Sequence, residues 1–140
     1  MTGVQTCALP IYLIDTPSTK AFVAAFTKKY GKPPENQAWG DYVGVKVMAQ
    51  SMNELKSTDT AKILEHLEKG AKFDVMKPRQ GYFRASDHQL ISEMYTITAL
   101  PAAQVKNQWD LFTSSAPVPG PNEDMEVIAT QGDEAVCKMS

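Results

Sequence analysis

Between Thr16 and Gly70 the chain spells three helices in succession, and the remainder holds β-forming residues for little more than one hairpin. That imbalance restricts the possible folds more than any other feature. Thr16-Pro17-Ser18 opens the first helix: a hydroxyl can accept from free first-turn N–H groups, and proline at the first helical position has no N–H to lose. Phe22, Phe26 and Tyr30 then share one face, and Gly31 stops the helix, with Pro33 and Pro34 beyond it. The second helix is expected over Asn36 to Leu55, with Ala38, Tyr42, Val45, Ala49 and Met52 as its apolar stripe. Gly40 and Gly44 weaken that helix, and close approach of another backbone is the expected reason for them. Ser57-Thr58-Asp59 begins the third helix, Ile63, Leu64 and Leu67 line its inner face, and Gly70 ends it. His66 lies off that stripe and is read as a solvated surface residue.

Past Gly70 the pattern turns β-like. Lys72 to Val75 and Gln80 to Arg84 are short candidates, and Met94 to Leu100 is a stronger one, with Pro101 ending it. Ala85 to Gln89 is expected to join the second and third of these as a hairpin loop. Trp109, Leu111 and Phe112 form a small apolar anchor. After them come Pro117, Pro119, Gly120 and Pro121, then acids at Glu123, Asp124 and Glu126. This tail is expected to be extended and weakly ordered, tied down by its few apolar residues.

One hairpin cannot cover three amphipathic helices. Burial of one Phe or Leu side chain is worth about 1.5–3 kcal/mol, and a whole domain is stable by only about 5–15 kcal/mol. Three uncovered stripes would consume most of that margin. The sequence therefore asks for a partner sheet it does not encode, as a truncated gene would.

The opening segment Met1 to Ile11, MTGVQTCALPI, has no basic n-region and too short an apolar core for a signal peptide. It closely resembles a translated sequencing-adapter read-through. Residues 1–11 are accordingly read as a non-native segment, which would make Cys7 foreign and leave an upstream region missing. The alternative is a short N-terminal strand from Ala8 to Ile14, broken by Pro10.

Several function classes lose support. The net charge of −2 comes from interspersed acids and bases, without the clustered basic surface a nucleic-acid partner needs. No apolar run approaches the length of a membrane span, so direct membrane insertion is not expected. Two cysteines and two histidines assemble neither a disulfide scaffold nor a multi-histidine metal site, and no metal or cofactor is expected. Asp87-His88 invites an acid–base reading, but neighbours on a strand point to opposite faces, and a polar hairpin tip explains them better. Ser86 and Ser92 sit in nothing like a nucleophile elbow. There is no phosphate-cradling loop of the G-x-x-x-x-G-K type. No catalytic residue is assigned, and the chain is not read as an enzyme.

Lys20 to Pro34, KAFVAAFTKKYGKPP, resembles the helix-and-turn segment of leucine/isoleucine/valine-binding proteins, the type I periplasmic binding proteins of ABC importers. Ala38 to Val45 resembles the small-residue and aromatic helix that comes next there, Ser57 to Leu67 the next short helix, and Gly81 to Arg84 a glycine–aromatic strand. Asp87-His88-Gln89 is similar to a loop of one subset, and Cys137-Lys138-Met139 to their C-terminus. The likeness runs from Asp15 to Ser140 and rests on the order and spacing of these pieces.

The resemblance implies an α/β fold: the C-terminal part of a two-lobed protein, three helices followed by a β-hairpin and an extended tail. It divides the chain into the foreign segment, residues 12–116 of a ligand-binding domain, and a tail over 117–140. The absent sheet would lie upstream, together with most groups that grip an amino-acid ligand. The implied function is a periplasmic or cell-surface receptor that captures a branched-chain amino acid or related molecule, closes its lobes on it and presents it to an ABC permease. Cys137 would then pair with a cysteine in the missing region. The segment before the second helix approaches the cleft in this family, which makes Asn36, Gln37, Ala38 and Trp39 the candidate ligand-binding residues. The competing reading of those positions is that Asn36 caps the helix and Trp39 packs in the core. Two other functions share the evidence: a cytoplasmic ligand-sensing regulator with the same fold, or a small interaction protein whose helices dock on another chain.

Overall fold

The computed structural model describes residues 10–131, so Cys7 and the C-terminal segment around Cys137 lie outside the described residues. Three helices come first, and their ends are set by local chemistry. Helix α1, Pro17–Tyr30, starts at Thr16, whose Oγ1 accepts the Thr19 N–H at 3.2 Å. It ends at Gly31, whose φ of 71° is the left-handed turn that glycine adopts without a Cβ clash. Helix α2, Asn36–Leu55, begins after Glu35, whose side chain makes no cap bond, so Asn36 is the first helical residue and not the cap. Helix α3, Thr60–Glu68, is capped by Asp59, which accepts the Lys62 N–H at 3.0 Å.

Two small antiparallel sheets complete the chain. Strands β1 (Lys72–Phe73), β2 (Gly81–Phe83) and β3 (Leu90–Ile91) form one in that order, with Phe73 opposite Gly81 and Tyr82 opposite Ile91. Strands β4 (Ile97–Ala99) and β5 (Phe112–Ser114) form the other, with Ile97 opposite Ser114. The loop at 85–89 does turn a hairpin, but onto Leu90–Ile91 and not onto the expected strand at 94–100. The His88 N–H to Arg84 carbonyl bond, at 2.8 Å, closes the turn tightly, so pairing resumes immediately after Gln89. The later strand is therefore free to pair with β5, across an interval that local pattern does not encode.

Two apolar clusters make the core. Val43 and Val47 of α2 pack on Phe73, Val75 and Met76, while Ile11, Ile14 and Ile97 pack together, and Phe22 and Trp39 touch both groups. Ile11, the last residue of the segment read as foreign, is 1% exposed. The covered face of α2 is thus Trp39-Val43-Val47-Ser51, an i, i+4 row. The stripe expected from spacing lies on another face: Val45 is 71% and Tyr42 48% exposed. Spacing cannot distinguish two apolar faces of one helix, and only the first meets β1 and the chain after it.

Two other expectations are corrected and a third is widened. Among the described residues nothing lies within 4 Å of a Cβ built on Gly40 or Gly44, so none of their backbone approaches these glycines. The glycine that does permit close approach is Gly81, where a Cβ would sit 3.0 Å from the Ile91 carbonyl oxygen. His66 is not a solvated residue; its ring stands edge-on to Phe73, and Nε2 lies 3.1 Å from Glu54 Oε2 without a well-directed hydrogen bond. The tail is held by more than its apolar residues: Pro119 and Ala129 are buried as expected, Val127 is 64% exposed, and polar bonds add to the anchoring. Arg79 donates to the Pro119 and Glu123 carbonyls, Arg84 donates to the Thr130 carbonyl, and the Tyr82 hydroxyl donates to Glu126.

Candidate functional site

Pro33 and Pro34 bring the chain in extended form to the first turn of α2, where two cavities open on either side of Asn36. The first, about 250 Å³, is lined by Asn36 and Trp39 together with Lys77, Ser92 and Tyr95. The second, about 260 Å³, is lined by Asn36 and Gln37 with an apolar wall that includes Tyr12, Trp109 and Phe112. The four residues expected from sequence therefore separate. Asn36 faces both spaces, Trp39 the first and Gln37 the second, whereas Ala38 lines neither. Trp39 also holds the fold together. Its indole N–H donates to the Val75 carbonyl at 2.9 Å, tying α2 to the chain after β1.

Lys77 gives the first cavity its charge. Its side chain is mostly buried, with Nζ 4.8 Å from the centre of the Trp39 ring, a cation–π arrangement. The ammonium donates to Ser92 Oγ at 3.0 Å and to the Glu93 carbonyl at 2.6 Å. Burial pushes the Lys77 pKa down to about 8, and the Glu93 carboxylate opposes that shift. Glu93 is 1% exposed and accepts both the Arg79 backbone N–H, at 3.0 Å, and Arg79 Nε, at 3.1 Å. Tyr95 completes the wall; its hydroxyl is buried without a hydrogen-bond partner among the described residues, and burial, then the nearby Glu93 charge, raises its pKa to about 12.

This arrangement suits recognition by shape and charge. Asp87 and His88 do not converge: Asp87 pairs with Arg84, and His88 Nε2 lies 2.8 Å from Glu68 Oε1. Among the described residues no group of three His, Cys, Asp or Glu side chains could hold a metal ion, and no helix is long and apolar enough to cross a membrane. Sequence reasoning missed Lys77, Glu93 and Tyr95, and weighed Ser92 only as a nucleophile. A buried lysine carries no periodic signature, and Lys77 sits in a stretch that reads locally as a turn. The available signal was the apolar pair Val75-Met76 running directly into it.

Comparison with known proteins places these features in a wider setting. The sequence profile described as "Periplasmic binding protein" matches residues 1–104. The Leu/Ile/Val-binding protein homolog 7 of Brucella suis biovar 1 (strain 1330) is 34% identical over 68 residues, which is 48% of this chain and 17% of that protein. Among solved structures, a branched chain amino acid ABC transporter periplasmic ligand-binding protein from Burkholderia xenovorans LB400 superposes with a TM-score of 0.70 at 29% identity, over 86% of this chain and 31% of the other. An amino acid ABC transporter substrate-binding protein from Pseudomonas fluorescens Pf-5 gives a TM-score of 0.67 at 26% identity, over 76% of this chain and 28% of that one. The chain thus spans less than a third of the length of each of these relatives.

Proposed function

Since the chain belongs to the periplasmic binding protein family, we propose that it forms the late part of a two-lobed receptor that captures a branched-chain amino acid or a related small molecule for an ABC importer. The observation that carries this reading is the pair of apolar faces on α2. One is covered by Phe73, Val75 and Met76, and the other leaves Tyr42, Val45 and Met48 between 41% and 71% exposed. An apolar face that wide on one helix calls for a further layer, such as the remainder of a lobe that this chain does not supply.

In this reading no bond is made or broken. Ligand shifts an open–closed equilibrium by as much as it prefers the closed form, and the permease at the membrane recognises that form, in the periplasm or at the cell surface. Asn36, Gln37 and Trp39 stand at the cleft: Trp39 offers a wall, and Asn36 and Gln37 offer polar groups, the combination that small-molecule sites use. The test is to recover the source locus with adapter-free long reads, express the whole open frame and titrate it with leucine, isoleucine, valine and their amides. Small-angle scattering should report compaction with at least one of them. A frame that opens at Met1 behind a ribosome-binding site, or a two-lobed product that no such ligand compacts, would overturn the proposal.

A further inference from the structure

Met76 is a buried residue held in the left-handed region, with φ at 62°. For a side chain other than glycine that conformation is strained, and it persists only where the surroundings fix it. Here they do: the Met76 N–H donates to Asp74 Oδ1 at 2.8 Å, and the Met76 carbonyl accepts from Thr19 Oγ1 at 2.5 Å. The strained turn delivers the next residue, Lys77, whose side chain lines the first cavity. Its Nζ donates to Ser92 Oγ at 3.0 Å and to the Glu93 carbonyl at 2.6 Å, and lies 4.8 Å from the centre of the Trp39 ring. Both hydrogen-bond partners are acceptors. A neutral amine has two N–H groups, one for each, so loss of the third proton breaks neither bond and leaves a lone pair. The charged form gains little in exchange. Among the described residues no carboxylate lines the cavity, and Glu93, behind its wall, is already engaged by Arg79 through two N–H groups.

We propose that Lys77 is a reactive amine that captures small apolar aldehydes as imines, with the cavity of about 250 Å³ holding the aldehyde's carbon chain against Trp39 and Leu90. The inference goes beyond the receptor reading, since it needs only this amine and the space beside it. In the step, the amine lone pair attacks the carbonyl carbon and a C–N bond forms. The carbonyl oxygen takes up both nitrogen protons and leaves as water, so the step needs no oxidant or reductant. The cavity is smaller than the pockets that hold drug-sized molecules, which limits the aldehyde to a short chain or a single ring. Burial pushes the Lys77 pKa down to about 8, so about half of the amine is neutral at that pH, roughly a hundredfold more than for a lysine that titrates at 10.5. Of the groups facing Lys77, Glu93 stays paired with Arg79 and Tyr95 holds its proton to about pH 12, so neither supplies that transition.

The experiment treats the 140-residue chain with butanal and cyanoborohydride, which adds hydride to the imine carbon and fixes each adduct as a secondary amine. Peptide mass mapping then gives the labelling rate at every lysine. At pH 8, Lys77 should be labelled at least about tenfold faster than the exposed Lys28, Lys62 and Lys106. As pH is raised its rate should climb and then flatten beyond about pH 8, while the rates of the exposed lysines keep climbing. In concentrated urea the preference should vanish, because an unfolded chain returns Lys77 to water and opens the cavity. This control needs no substitution, so it does not depend on a variant that folds. Equal rates at Lys77 and the exposed lysines without urea overturn the inference. So does a preference for Lys77 that survives unfolding, since sequence neighbours and not the cavity would then set the reactivity.

Discussion

Arg79→Met is the most informative single change. Arg79 supplies both N–H groups that satisfy Glu93, which is 1% exposed, and it also holds the tail through the Pro119 and Glu123 carbonyls, each at 2.8 Å. Methionine preserves the backbone N–H to Glu93 but removes the cation. Taking one partner from a buried pair leaves an uncompensated charge and costs about 3–5 kcal/mol. The two lost bonds to the tail add about 1–3 kcal/mol. Against a whole-domain stability of about 5–15 kcal/mol, the variant should lose a large part of its margin. Urea unfolding of dilute protein, monitored by the fluorescence of Trp39 and Trp109, measures this directly. The double variant Arg79→Met, Glu93→Leu removes the orphaned charge and should recover most of the pair's share, leaving only the tail contribution. A single-variant loss below about 1 kcal/mol, the scale of a surface pair, would refute the reasoning. It would mean that water reaches Glu93.

Four further outcomes are expected from the same structure. Lys77 is neutral more easily in the fold than in the unfolded chain, so the unfolded state binds more protons between pH 8 and 10.5. Stability should therefore rise across that window by roughly 3 kcal/mol at most. The raised Tyr82 and Tyr95 phenols act in the opposite sense, with stability lost as pH climbs from 10 through about 12. A pH series of urea melts should peak near pH 10, and Lys77→Met should flatten its rising limb. Val47→Ala, at a site 3% exposed, should cost about 2 kcal/mol, whereas Val45→Ala, at a site 71% exposed, should stay within about 0.5 kcal/mol. Reversal of that order would put the covered face where the spacing alone put it. Gly40→Ala and Gly44→Ala meet open space and should each stabilise the chain by about 0.4–1 kcal/mol in the same melts; a loss would reveal a close neighbour. Finally, the exposed face of α2 predicts concentration-dependent association by light scattering, reduced by Val45→Ser with Met48→Ser. A reversible, concentration-independent melt of the parent chain would count against it.

Helix ends were legible because they depend on groups within a few residues of one another. Thr16 and Asp59 cap their own first turns, and Gly31 turns left-handed where a Cβ would clash. The need for an additional layer was also legible, since it is a count of apolar stripes against strands. The choice of face on α2 was not: both faces are apolar, and the decision belongs to Phe73, Val75 and Met76, which arrive from about thirty residues away. Pairing of Ile97 with Ser114 is likewise a long-range event, favoured once the tight turn at Arg84 has committed Leu90–Ile91 to β2. Of the candidate site, Asn36 and Trp39 were named only through a family resemblance, and that they line a common cavity from the first turn of α2 is a tertiary fact. Lys77, Glu93 and Tyr95 acquire their character from burial. A charge or hydroxyl means one thing in water and another where no solvent competes for it, and only the tertiary structure decides which residues are removed from water.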